Sequence, residues 1–158
     1  MTAFPEPDEN NDFLVDHVTI LCSSFTHWTQ RQLIGHIQTP RDAARNLFFA
    51  PFAVLSHNTA PDPIFNYANR TALKLFESTW AELITLLSRR SAEPVNQEER
   101  ARLLAEVTVN GYIDDYRGIR ISRTGRRFLI ERATVWNLLT PQGEHYGQAA
   151  MFGNWRYL

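Results

Sequence analysis

The sequence predicts an α+β fold: a single five-stranded antiparallel sheet, a block of helices between its second and third strands, and further helices at the N-terminal end. Three observations predict it. Residues 65–76, F-N-Y-A-N-R-T-A-L-K-L-F, read as a short strand running through an asparagine cap into a helix. Residues 80–111 carry two stretches of apolar residues at helical spacing. From residue 119 the period changes to two, with turns at Thr124-Gly125 and around Gly143, which makes a three-strand meander.

Residues 1–11 are acidic and proline-containing, with little to bury, and are expected to form a disordered tail. The domain then covers residues 12–155, with N-terminal helices over 12–50 and a sheet-based core over 52–152. A first helix starts at Asp12. Its Leu14, Val18, Leu21, Phe25 and Trp28 alternate four and three apart and form one apolar seam. The seam is too short for an autonomous coiled coil. It either packs on the sheet or serves as a dimer or partner surface. Thr39 caps a second helix with Pro40 in its first turn, and Pro51 closes it.

Residues 52–57 read as the first strand, 58–63 as a turn and 64–68 as the second strand. Asn69 offers a side-chain acceptor to the first free helical N–H groups, and Ala72, Leu75 and Phe76 share one face of the helix that follows. Helices are expected over 80–87 and from a box-like start at Asn96 and Glu99 to Gly111. Residues 112–118 read as a polar connector. Ile119 and Ile121 alternate with Arg120 and Ser122, and strands follow over 127–139 and 146–152.

The bulk numbers narrow the function. A chain of 158 residues, 44% hydrophobic and 12% aromatic, can bury one core without covalent staples. A formal net charge of −1 gives no general attraction to nucleic acid or anionic membrane. Arg89-Arg90 and Arg126-Arg127 are basic pairs that could meet an acidic partner, but two dipeptides are a weak signal. Cys22 is the single cysteine, so no intrachain disulfide forms. With no long apolar run and no signal-peptide pattern, a cytoplasmic chain is expected, with neither nucleic acid nor membrane as partner.

Residues 65–76, residues 112–139 continuing into G-Q-A-A-M-F at 147–152, and S-R-R-S-A-E-P at 88–94 together resemble the MEKHLA domain, a PAS-like family. The stand-alone bacterial type is the better match in size. The resemblance implies a PAS-like fold and a sensing, ligand-binding or protein-interaction module, with a small-molecule ligand, a homodimer or a protein partner. It brings no catalytic residues. The family also ends plant class III homeodomain–leucine zipper regulators, but neither a homeodomain nor a zipper is present here, so DNA binding does not carry over.

PAS-like domains bind ligands between the inner sheet face and the helical block. On the strand over 127–139, Phe128, Ile130, Arg132, Thr134 and Trp136 alternate onto one face, and Leu129, Glu131, Ala133, Val135 and Asn137 onto the other. Both faces are rather apolar, which fits a sheet covered on both sides. Periodicity does not choose between them. The face with Phe128 and Trp136 is preferred as the ligand face, because Arg132 and Thr134 supply polar groups in an apolar pocket. Phe65, Tyr67 and Tyr112 complete the candidate ligand-binding set. Plain core packing of the same aromatics is the competing account.

Several chemistries are disfavoured. LOV-type covalent flavin chemistry needs a cysteine on the helix after the second strand, where this chain has none. Haem usually needs an axial histidine in the helical block, and residues 76–111 contain no histidine. The ligand is therefore unknown. His17, His27 and His36 do not share metal-ligand spacing. Asp114 and Asp115 are adjacent and point apart on a strand, so a cap or a partner such as Arg117 suits them better than acid–base work. No serine sits in a nucleophile-elbow sequence, and no glycine-rich phosphate loop is present. A non-catalytic module is expected. The alternatives are a cone-type α+β lyase or isomerase, which would need Glu131, Asp114 and His57 to converge in the cavity, and a co-regulator that contacts only proteins.

Overall fold

Six antiparallel strands organise the chain in the computed structural model, which describes residues 3–35 and 39–158. His36 lies outside the described residues. Helices α1 (Val15–Thr29) and α2 (Pro40–Phe48) precede β1 (Ala53–His57) and β2 (Phe65–Ala68). The helical block is α3 (Arg70–Leu75), α4 (Trp80–Leu83) and α5 (Pro94–Asn110). Then come β3 (Tyr112–Ile121), β4 (Arg127–Leu139), β5 (His145–Phe152) and β6 (Asn154–Tyr157). The sheet order is β2-β1-β5-β4-β3, and β6 pairs with the first half of β4 beyond the end of β5.

Local chemistry explains most element boundaries. The Thr39 side chain accepts from the Asp42 N–H, and Pro40 opens α2. Thr79 and Glu82 form a capping box on α4, which stops at Leu83, short of the expected residue 87. Pro94 sets the start of α5, so Asn96 and Glu99 fall inside the helix and form no box. Gly111 ends α5 at φ 95°, where a side chain would collide with the Trp28 indole. The expected connector over 112–118 is the first part of β3, because its aromatic and β-branched residues pair with β4.

Residues 3–11 differ from the expected disordered tail. Asp8 and Asn11 close a capping box around a single 3₁₀ turn, Glu9–Asn11. The Phe4 ring lies 5.1 Å from the His17 ring, and the Phe4 carbonyl accepts a 3.0 Å hydrogen bond from the Trp80 indole. A few anchors of this kind hold an acidic segment that has no apolar stripe. Residues 12–14 then turn with positive φ before α1 begins at Val15 rather than Asp12, which seats Phe13 against Phe48 and Phe49.

Both sheet faces are buried. On the outer face, Val18, Leu21 and Phe25 of α1 join Val54, Tyr67 and Trp136 in one core, with Leu14 and Trp28 half-buried at its edge. The Phe25 and Trp136 rings meet edge-on at 5.0 Å. The α1 seam is therefore covered by its own sheet and does not form an exposed dimer or partner surface. The reason is that the outer sheet face is as apolar as the inner one and needs the helix. On the inner face α3, α4 and α5 enclose Leu55, Phe65, Phe76, Phe128, Ile130 and Phe152 in a second core, with Leu103, Val107 and Val135 beside it.

A line of irregularity crosses β3, β4 and the β5–β6 junction. Asp115 and Arg132 have φ of 55° and 53°, and the β3–β4 register shifts on either side of Tyr116. Gly153 separates β5 from β6 at the same level. Beyond such a bulge the alternation shifts by one residue, so the opposite set of side chains faces inward. Phe128 and Ile130 thus face inward with Ala133 and Val135, whereas Thr134 and Trp136 turn to the α1 side.

Gly147 carries the tightest backbone approach in the sheet. Its φ is 153°, and a β-carbon there would press on the His57 carbonyl oxygen across the β1–β5 pair. Gly147→Ala is expected to lower stability by about 3 kcal/mol, since neither partner is a flexible side chain. Urea unfolding checks this, and a loss below the resolution of the midpoint would refute the close approach.

Candidate functional site

Between the inner sheet face and α5 lies a cavity of ≈ 60 Å³. Leu55, Phe65, Ile130 and Phe152 form its apolar wall, and Ser91, Leu103 and Leu104 close it from the helical side. Its polar groups are His57 at the end of β1, Arg100 on α5, Tyr116 and Arg120 on β3, and Gln148 on β5.

Each polar group has a structural reason to be where it is. On α5, Arg100 shares the i, i+3, i+4, i+7 stripe with Leu103, Leu104 and Val107, so it is carried inward and is only 8% exposed. On β3, Arg120 alternates inward with Gly118 and Tyr116, leaving Ile119 and Ile121 half-buried outside. Gly118 has no side chain to separate Tyr116 from Arg120. The guanidinium lies 5.6 Å from the Tyr116 ring centre and donates to its hydroxyl at 3.2 Å. That hydroxyl in turn donates to the Glu99 carboxylate at 2.9 Å. Burial raises the Tyr116 pKa from its usual value.

Asn137 and Gln148, paired across β4 and β5, fasten the C-terminal end of α5. Asn137 donates to the Val107 carbonyl at 2.9 Å, and Gln148 donates to the Leu104 carbonyl at 3.2 Å and to the Thr108 hydroxyl at 3.0 Å. These amides add second hydrogen bonds to carbonyls of the last two turns of α5. One end of the helix is thus fixed to the sheet, while the middle spans the cavity.

His57 is buried, and its Nδ1 lies 2.9 Å from the Asn58 carbonyl oxygen. A carbonyl only accepts, so Nδ1 carries the proton and Nε2 is a bare acceptor. That Nε2 is buried and has no partner among the described residues. Burial, helped by the positive charge of Arg100, pushes the His57 pKa down to about 4. The Arg100 pKa is lowered to about 10, first by burial and then by Arg120, so it remains charged at neutral pH.

Of the residues expected at the site, Phe65 and Ile130 line the cavity, and Phe128 packs just outside it against Phe76 at 5.1 Å. Tyr67, Tyr112, Thr134 and Trp136 belong to the α1 side instead. Trp136 donates to the Leu21 carbonyl, and Thr134 donates to Asp114 at 2.6 Å. Arg132 is exposed on the bulge. Tyr67 is displaced by an irregularity opposite Ser56 and His57, which leaves Asn66 and Tyr67 both facing Ser56. The three carboxylate and imidazole groups needed for a cone-type enzyme do not converge. Only His57 lines the cavity, while Asp114 is exposed beside Arg31 and Glu131 pairs with Arg156.

On the other face, His17 is 3% exposed and central to a hydrogen-bond chain. Tyr146 donates to its Nδ1 at 3.0 Å, its Nε2 donates to Ser56 Oγ at 2.9 Å, and Ser56 donates to Asn66 at 2.5 Å. A serine within reach of a histidine has the first two parts of a nucleophilic triad. Here Ser56 is 1% exposed and the third partner is a phenol, so the chain of bonds fastens α1 to β1, β2 and β5. Cys22 is also on α1, across the sheet from the cavity, and burial pushes its thiol up to about 11. A thiol so placed does not suit a flavin adduct in the cavity. The cavity volume is also far below the ~300 Å³ at which drug-sized ligand pockets begin, so the tricyclic ring does not fit. Among the described residues no cluster of three metal-ligating side chains occurs, and no helix is long and apolar enough to cross a membrane.

An antiparallel sheet with a helical block over one face and a cavity between them is the architecture of a PAS-like domain. The chain belongs to the MEKHLA domain family, whose sequence pattern matches residues 15–157. The homeobox-leucine zipper protein ATHB-14 of Arabidopsis thaliana is 27% identical over 103 residues, 65% of this chain and 12% of its own length. HOX10 of Oryza sativa is 22% identical over 141 residues, 87% of this chain and 17% of its own length. The chain therefore spans only a small fraction of these relatives. Among solved structures, a PAS domain from Colwellia psychrerythraea superposes with a TM-score of 0.62 at 13% identity, over 75% of this chain and 95% of that one. An RNA-binding light-oxygen-voltage receptor superposes at 0.64 with 20% identity, over 78% of this chain and 36% of that one. These likenesses concern the fold.

Proposed function

We propose that this chain is a non-catalytic sensory module that takes a small molecule into the cavity under α5 and reports its presence through contacts with a protein partner or a second copy. The observation that carries this reading is the buried Nε2 of His57, unpartnered among the described residues, in a cavity with an apolar wall of Leu55, Phe65, Ile130 and Phe152. A buried acceptor without a partner is costly, and a ligand that donates to it removes that cost. The fold likeness to PAS and light-oxygen-voltage domains supports the same reading. Occupancy would act on α5, which is tied to the sheet at its C-terminal end by Asn137 and Gln148 and presents Val95 and Val109 outward as exposed apolar groups. The α1 seam, already covered, is not the reporting surface.

A cavity-filling control tests it. Fractions of a deproteinised bacterial extract are expected to raise the melting temperature of the chain by several degrees and to leave Leu104→Trp, whose indole occupies the cavity, unmoved. If no fraction shifts the parent chain, or if both proteins shift alike, the ligand reading fails.

A further inference from the structure

Arg100 and Arg120 approach the cavity from two walls, one on α5 and one on β3. They are 8% and 7% exposed. Arg120 donates to the Ile119 carbonyl and the Tyr116 hydroxyl, and Glu99 reaches it only through that hydroxyl. Neither guanidinium forms an ion pair among the described residues. Buried charges in proteins are paired, and two cations left facing one space are costly twice over, through desolvation and through mutual repulsion. Something that is not part of the chain is needed to offset that.

Resting on the ligand-binding reading above, we infer that the cavity is a site for a small hydroxylated carboxylate, clamped by Arg100 and Arg120 and donating its hydroxyl to His57 Nε2. Guanidinium forks match a carboxylate in two-point geometry. The opposite wall of Leu55, Phe65, Ile130 and Phe152 offers nothing to the outer oxygens of a phosphate but covers a short carbon chain. Size agrees: ≈ 60 Å³ is room for roughly four or five waters, hence a ligand of about four to six non-hydrogen atoms. His57 supplies the independent observation, because its bare nitrogen asks for a donor, neither guanidinium donates to it, and a carboxylate has no donor to give.

The probes are lactate, propionate, lactamide and inorganic phosphate, read by calorimetry and thermal shift on the full chain. Lactate is expected to bind most tightly, propionate more weakly, and lactamide and phosphate not measurably. Arg100→Met is expected to lower lactate affinity at least tenfold while leaving the ligand-free melting temperature equal or higher, because a buried unpaired charge has been removed. A purely structural arginine would do the reverse. The inference is overturned if lactamide matches lactate, if phosphate binds and the carboxylates do not, or if Arg100→Met melts lower and still responds to lactate. The ligand panel on the parent chain decides the matter even if that variant fails to fold. An extract fraction that shifts the chain when the whole carboxylate panel does not overturns this inference and leaves the cavity reading standing. A chain that responds to neither overturns both.

Discussion

Asn69→Ala is expected to destabilise the chain by about 4 kcal/mol, several times the loss of an ordinary helix cap at about 1 kcal/mol. The asparagine is fully buried and uses every hydrogen-bonding position of its amide. Its Oδ1 accepts from the N–H groups of Ala72 at 3.1 Å and Val54 at 3.0 Å. Its Nδ2 donates to the carbonyls of Leu47 at 3.0 Å and Phe52 at 2.8 Å. One side chain thus joins the end of α2, the start of β1 and the first turn of α3. Alanine would leave the Ala72 and Val54 N–H groups and the Phe52 carbonyl without this partner, and would strip the Leu47 carbonyl to its bond from the Ala50 N–H. Asn69→Asp separates this role from capping. Aspartate caps a helix as well as asparagine does, so a simple cap predicts near-parity. The four-bond role predicts a loss at least as large as for alanine, since a carboxylate would face the Leu47 and Phe52 carbonyls with no donor to offer. Denaturant midpoints of the two variants decide it, and an Asn69→Asp variant as stable as the parent chain would refute the four-bond account.

The same residue shows how far sequence carries. That Asn69 precedes a helix is visible in the sequence, because the cap and the Ala72, Leu75 and Phe76 spacing are local. Its bonds to Leu47 and Phe52 are not, because they depend on where α2 ends in space. The two-sided burial of the sheet was legible in the apolar character of both faces of β4. Which residues face inward was not. Alternation was extended through Arg132, and nothing in R-F-L-I-E-R-A-T-V-W marks the residue at which three strands shift together. One of the cavity arginines did leave a trace. Arg100 occupies a core position of the α5 stripe, and Arg120 sits between two isoleucines on a strand. The alternation of Ile119 and Ile121 with Arg120 and Ser122 does not by itself say which set faces inward. A charged residue at a position the periodicity reserves for the core points to a polar interior; Arg100 carries that signal, and Arg120 does not, because Ile119 and Ile121 take the apolar phase of its strand.

The two buried histidines make stability fall steeply in mild acid. Burial holds the His17 and His57 pKa values down at about 4, against 6.5 for an exposed imidazole. For groups depressed in this way, the unfolded chain takes up protons that the folded chain refuses. Their contribution is complete above pH 6.5 and is lost as the pH falls toward 4. Each histidine costs about 1.4 kcal/mol per pH unit in that window, so at pH 5 the pair lowers stability by about 4 kcal/mol relative to pH 7. His17 is held between Tyr146, Ser56 and the rings of Phe4 and Tyr67, with no carboxylate in contact to stabilise an imidazolium. His57 faces Arg100, which opposes its protonation further. Carboxylates titrate mostly below this window, so urea unfolding from pH 7 to 4.5 isolates the histidines. His17→Gln is expected to lower stability at pH 7, by loss of its bonds to Tyr146 and Ser56, and to halve the slope below pH 6.5. A slope unchanged by that substitution would mean that His17 is protonated in the fold. A flat profile in the parent chain would mean the same of both histidines. The slope also reports on the cavity: a ligand hydroxyl that donates to His57 Nε2 favours the neutral imidazole, so saturating lactate should not flatten the half of the curve that remains in His17→Gln.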